Sequence, residues 1–396
     1  MKCDEKKPAC QKCSSTGRTC DGYESIFRPW PGQTLEVGDE KQDPAGTNCS
    51  FTEFSIVQRD VELLQRCLST KTLFDVQLGC DKEARELLEA SVTNSAIRHA
   101  ISSLKSFRHD LELTANPPTG TSPPLQGSTP QSGLEQYCAA MGVLASQLSF
   151  PMGTNDRLLR SAMLCCQIFI SIEQTRGNFS IMAKHILQGL NIMHEHGARP
   201  ILSASELLPA KHDDLPMLDV FIIKLFAAPC KFADRRLTAA SSCEAGTLGE
   251  QCPMERQPGG STGSQTIAPD MRAALTGIAA SALRYLESVS DCRSLAQAMR
   301  LAEEKTRLLE VLELWLHDLN KSQDGKKSPM PEPLSVLFMR LFYQVLKLIL
   351  MGSLDSAPTF YVDSHVLIEE LQTIAEHVTI EVEVDRFERQ QAECQT

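Results

Sequence analysis

Three consecutive stretches constrain the fold most: GLEQYCAAMGVLASQLSF (133–150), NDRLLRSAMLCCQIFISIEQT (155–175) and NFSIMAKHILQGLNIMHEHG (178–197). Each repeats apolar residues at spacings of three and four, the period of one face of an α-helix. The junctions TRGN and HEHGARP put Gly after one helix and Asn before the next, the residues that stop and start helices. Such short turns make sequential helices antiparallel neighbours.

The same period recurs outside this core. In FTEFSIVQRDVELLQRCL (51–68) the residues Phe54, Val57, Val61, Leu64 and Leu68 form one stripe, and DKEARELLEASVTNSAIRHAISSLKSF (81–107) reads as a helix broken in its middle. Further helices are expected near 269–290, 292–319, 333–352 and 364–378, and the rest is assigned only by continuity of pattern. The segment TIEVEVDRFERQ (379–390) alternates like a strand, although no partner strand is apparent. Aromatic residues are only 6% of the chain and apolar residues 42%, which favours helices over a β-sandwich. The expected fold is all-α, an irregular helical bundle or α-solenoid-like domain over residues 51–396.

Low-order loops are expected inside this body near 114–133, with its five prolines and no charge, and near 239–268 and 320–333. Residues 24–50 mix Pro, Gly and charge without periodicity and read as a linker.

The amino terminus is chemically different. Cys3, Cys10, Cys13 and Cys20 are separated by six, two and six residues. Two Cys two residues apart can both reach one zinc ion, and four thiolates satisfy a tetrahedral site. Pro8 and Gly17 lie in the longer intervals, where a fixed φ and a permissive one help a short loop fold back. Such a segment has no apolar core, so metal binding would supply its folding free energy. Two readings stand side by side: a mononuclear zinc site, or an unstructured segment whose cysteines hold nothing. Lys2, Lys6, Lys7, Lys12 and Arg18 outnumber Asp4 and Glu5 in a chain whose net charge is −11, an asymmetry that suits a terminus facing nucleic acid.

The stretch CDEKKPACQKCSSTGRTCDGY resembles the last two-thirds of the fungal six-cysteine binuclear zinc cluster, the DNA-binding module of a large family of fungal transcription factors. In that family a first pair of cysteines and a basic helix precede the four matched here. Residues 158–197 are also similar to the helical regulatory domain of these factors, as are 84–107 and 133–148 more weakly. The resemblance implies zinc on Cys3, Cys10, Cys13 and Cys20, and DNA contacts from Lys2, Lys6, Lys7, Lys12 and Arg18. It also implies nuclear control of RNA polymerase II genes, with the transcription machinery or other regulators as partners, a homodimer, and no membrane association. Coiled-coil heptads are not evident between residues 24 and 50.

The first two cysteines and the basic helix of that family have no counterpart among residues 1–396. Four thiolates cannot hold two zinc ions, so residues 1–23 are expected to form a partial cluster with weak DNA binding. Either Met1 is an internal methionine with an exon upstream, the reading adopted, or the gene encodes a regulator without a DNA reader. The rivals are an interaction protein acting through a partner factor, and a helical ligand-binding protein or enzyme. No phosphate loop, nucleophile elbow or zinc-protease motif is present, so no enzyme is expected.

Within the body, His185, His194 and His196 are expected to be solvated or capping residues. Cys165 and Cys166 read as buried structural thiols. Trp315 and FMRLFYQVLKLIL (338–350) read as core.

Overall fold

The computed structural model describes residues 57–68, 80–115, 130–148, 156–203, 206–212, 215–227, 269–324, 332–355 and 365–394. The chain divides into Met1–Ser55 and Ile56–Thr396, and every described residue belongs to the second unit. The described residues are all-α. Their helices are α1 (Gln58–Leu68), α2 (Asp81–Thr93), α3 (Ser95–Ala115), α4 (Pro130–Leu148), α5 (Asp156–Arg176), α6 (Phe179–Glu195), α7 (Leu218–Ala227), α8 (Pro269–Ser290), α9 (Leu295–Asp324), α10 (Leu334–Gly352) and α11 (His365–Cys394). Three two-residue strands complete them: β1 (Ile201–Leu202), β2 (Leu207–Leu208) and β3 (Leu354–Asp355).

The Gly-Asn junction folds as its chemistry dictates. Gly177 has φ 77°, its N–H donates to the Gln174 carbonyl at 3.1 Å, and the Asn178 N–H donates to the Glu173 carbonyl at 2.9 Å. This pair of bonds satisfies the last carbonyls of α5 in a left-handed cap. The Asn178 side chain then accepts from the Ile181 N–H at 3.2 Å and starts α6. Gly197, at φ 60°, ends α6 by the same pattern, with Ala198 N–H donating to the Met193 carbonyl at 2.9 Å. The expected break in 81–107 falls at Asn94, whose Oδ1 accepts from the Ala96 N–H at 2.9 Å and so caps α3.

The helices close on themselves. Helix α3 packs on α4 and α5, α5 on α6, α6 on α11, α11 on α10, α10 on α9, and α9 on α8. Helix α7 lies among α5, α6, α8 and α10, with Leu218, Phe221, Ile222, Ile223 and Leu225 buried. The contact of α6 with α11, far apart in sequence, makes this a bundle rather than an open solenoid. The strands order β2–β1–β3, with Ile201 opposite Leu208 in the antiparallel pair and Leu354 in the parallel one.

Trp315 is buried as expected, stacked 6.2 Å from Tyr343 and donating its Nε1–H to the Met271 carbonyl at 2.9 Å. Helix α10 is long and apolar enough to cross a membrane by length and composition, yet 67% of its most apolar window is buried within the protein. That burial is what a core helix shows.

Three expectations need correction. Residues 379–390 are not a strand but part of α11, where Leu371, Ala375, Val378 and Val382 lie four, three and four residues apart on one buried stripe. An alternating pattern without a partner strand leaves its backbone groups unpaired, whereas a helix pairs them locally. The loop expected at 114–133 begins and ends inside helices, because α3 runs to Ala115 and α4 starts at Pro130. Proline suits a first helical turn, and the Ser103 hydroxyl donates to the Gly133 carbonyl at 2.8 Å. Similarly, α9 continues through residues 320–324 of the loop expected at 320–333, past the buried Leu319. The expected loop at 239–268 lies outside the described residues.

Candidate functional site

The residues singled out for zinc, Cys3, Cys10, Cys13 and Cys20, and for DNA, Lys2, Lys6, Lys7, Lys12 and Arg18, lie outside the described residues. Among the described residues no group of three or more His, Cys, Asp or Glu is placed to hold a metal ion.

The three histidines near α6 have separate surroundings. His185, expected to be solvated or capping, instead packs inward, its ring 5.5 Å from Phe169 and its Nε2 3.1 Å from the Tyr137 hydroxyl. Burial pushes its pKa down to about 4, so the imidazole is neutral at pH 7. Tyr137 also hydrogen-bonds the buried Glu173. Arg176 completes the cluster, donating to Glu173 Oε1 at 2.9 Å and standing 5.5 Å from the Phe107 ring centroid. Burial, the largest influence on Glu173, raises its pKa against the opposing pull of Arg176. Cys165 and Cys166 are buried as expected, and burial pushes both thiols up to about 12.

A second polar cluster lies beside a cleft. Arg199, two residues past Gly197, donates Nε–H to Asp219 Oδ2 at 2.6 Å and Nη2–H to Asp219 Oδ1 at 2.9 Å. Its Nη1 donates to the Leu286 carbonyl at 2.8 Å and to the Ser290 hydroxyl at 2.6 Å. One guanidinium thereby ties the segment after α6 to the start of α7 and the end of α8. The two side chains are only 10% and 6% exposed, so this is a buried bidentate pair.

The cleft, of about 60 Å³, opens between the end of α6 and the end of α10. Leu190, Met193 and His194 line it from α6, Arg199, Pro200 and Ile201 from the segment that follows, and Asp219 from α7. Leu348, Ile349, Gly352, Ser353 and Leu354 face them. Leu354 has φ 58°, the one positive φ among described non-glycine residues. A left-handed leucine persists only where its neighbours fix it. Here Leu354 pairs with Ile201 across β1 and β3, and Lys305 Nζ donates to the Met351 and Ser353 carbonyls at 2.7 and 2.8 Å. The Ser353 hydroxyl donates to the Leu350 carbonyl at 2.7 Å and meets Tyr285 Oη at 3.0 Å.

The sequence did not single out Arg199 or Asp219. HEHGARP reads only as a helix stop, and Asp219 begins a helix with no periodic signal.

No protein-family model matches the chain, and no solved structure matches it. Two curated proteins do. The chain is 48% identical over 394 residues to the transcription regulator lscL of Purpureocillium lilacinum, an alignment spanning 98% of this chain and 92% of that protein. It is 28% identical over 230 residues to the aspercryptin biosynthesis cluster-specific transcription regulator atnN of Emericella nidulans, spanning 53% of this chain and 35% of that one. The chain belongs to the family of fungal transcription regulators that includes lscL.

Proposed function

We propose that this protein is a sequence-specific regulator of RNA polymerase II transcription of the six-cysteine zinc-cluster type, acting in the nucleus on a biosynthetic gene cluster. The observation that carries the reading is the identity with lscL over almost the whole chain. The cluster-specific role named for atnN supports the choice of target genes. In this reading Cys3, Cys10, Cys13 and Cys20 hold zinc as thiolates, which fixes the loop geometry of an otherwise coreless segment. Lys2, Lys6, Lys7, Lys12 and Arg18 make DNA-phosphate contacts that are weak without the basic helix of a full cluster, and the helical body governs partner contacts and dimerisation.

Two measurements test this. Metal analysis of the full chain is expected to give about one tightly held zinc, lost in Cys10→Ser, since four thiolates complete one tetrahedral site; less than about half an equivalent overturns the zinc assignment. Chromatin occupancy of the tagged native protein is expected to peak at promoters of adjoining biosynthetic genes whose transcripts change when the gene is deleted. Regulation without occupancy would mean that the protein acts through a partner factor instead.

A further inference from the structure

We propose that the cleft beside Arg199 is a binding site for a small, uncharged, mostly apolar molecule with one hydrogen-bond acceptor, such as a ketone, ester or lactone carbonyl.

The space and walls set the first half of that description. At about 60 Å³ the cleft exceeds several-fold the ~10–15 Å³ that one water requires. Leu190, Met193, Ile201, Leu348 and Leu354 give it an apolar lining that rewards an apolar occupant. The second half follows from counting donors. Arg199 carries five N–H bonds. Four are used, on Asp219 twice, Leu286 and Ser290, and the remaining one on Nη2 has no acceptor among the described residues. Arg199 lines the cleft and is nine-tenths buried, so an occupant that brings an oxygen to its unused N–H gains a hydrogen bond that water cannot readily supply.

Charge then selects among acceptors. Asp219 cancels the charge of Arg199 through its two parallel hydrogen bonds, so the pair offers a donor without net positive charge. A carboxylate would enter beside Asp219 and lose its hydration without a countercharge. An ammonium would meet an Asp219 already engaged by Arg199 and by the Val220 N–H at 2.8 Å. A neutral carbonyl has neither penalty.

The position gives binding a consequence. One wall belongs to α6 and the segment after it, and the other to α10 and β3, where Leu354 is held left-handed. An occupant bridges the two and stabilises the seam between them. The proposal stands apart from the zinc and DNA reading, because none of these residues lies in 1–23.

The test is a ligand-observed NMR titration of the full-length protein with cyclohexanone, cyclohexanecarboxylate and cyclohexylamine. Cyclohexanone is expected to bind saturably, with the two charged probes at least about tenfold weaker. Ile201→Trp fills the cleft from a half-buried strand position and is expected to abolish the signal while leaving the circular dichroism and unfolding midpoint unchanged. Should that variant lose its fold, Leu190→Phe takes its place. Absence of saturable cyclohexanone binding overturns the proposal. So does unchanged binding in a folded cleft-filled variant, or a carboxylate that binds as well as the ketone.

Discussion

Gly189 of α6 lies against Leu218 of α7 so closely that a Cβ on the glycine would stand 2.1 Å from Leu218 Cδ2. Leu218 is fully buried, so its side chain can yield only by moving against packed neighbours. Gly189→Ala is therefore expected to destabilise the protein by about 1–3 kcal/mol, the range for overpacking a filled core. Gly142 supplies the contrast, since nothing lies within 4 Å of its missing Cβ. It sits on an exposed face of α4, where Gly→Ala is expected to stabilise by about 0.5–1 kcal/mol. Urea midpoints of the two variants should move in opposite directions; equal midpoints would show that Leu218 finds another rotamer at no cost.

The Arg199–Asp219 pair predicts an asymmetry between single and double substitutions. Arg199→Met leaves the Asp219 carboxylate buried with its guanidinium gone, a change expected to cost about 3–5 kcal/mol. Replacing both residues, as Arg199→Met with Asp219→Leu, removes the stranded charge and is expected to recover most of that loss. Thermal midpoints of the three proteins decide the matter. A double variant as unstable as the single would place the stabilisation in the Leu286 and Ser290 bonds rather than in the pair.

These relationships mark the limit of what the chain discloses before folding. The α5–α6 turn is legible because its signal is local: Gly177 and Asn178 carry the conformation and the cap in their own chemistry. Helix α7 is not, because ten nearly all-apolar residues have no polar face to reveal a period. Residues 379–390 mislead for the opposite reason, since charged residues alternate with Val382 and Val384 on a helix that buries Val382 and exposes Val384. The cleft is the least legible feature. Arg199 meets Asp219 twenty positions away and Leu286 eighty-seven away, a separation that only tertiary packing spans.

His185 makes stability depend on pH with a definite sign. Its pKa falls from 6.5 to about 4 on folding because burial disfavours the imidazolium. Above pH 6.5 neither state is protonated and the folded state has its full advantage. Between pH 6.5 and about 4 the unfolded chain takes up the proton and the folded one does not, so stability is lost as pH falls through that window. The full loss is about 3 kcal/mol at 1.36 kcal/mol per pKa unit. Glu173, in the same cluster, acts in the opposite sense, because a carboxyl pushed up by burial is relieved when acid protonates it. Comparing His185→Phe with the natural sequence isolates the histidine. The difference between their unfolding free energies should shrink as pH falls from 7 to 4 and then level; a difference independent of pH would show that the imidazole titrates normally.

Thiol reactivity separates the described cysteines by position. Burial pushes Cys165 and Cys166 up to about 12, and burial with the neighbouring Glu83 does the same to Cys80. At pH 8 roughly one molecule in ten thousand of each is a thiolate, the form that reacts. All three are also closed to solvent, whereas Cys138 on α4 is exposed. Iodoacetamide at pH 8 is therefore expected to alkylate Cys138 in the folded protein and to reach Cys80, Cys165 and Cys166 only in guanidinium, as read by peptide mass mapping. Modification of Cys165 and Cys166 in the folded protein at a rate near that of Cys138 would mean that α5 opens locally. The bundle would then come apart first at the helix that links α3 to α6.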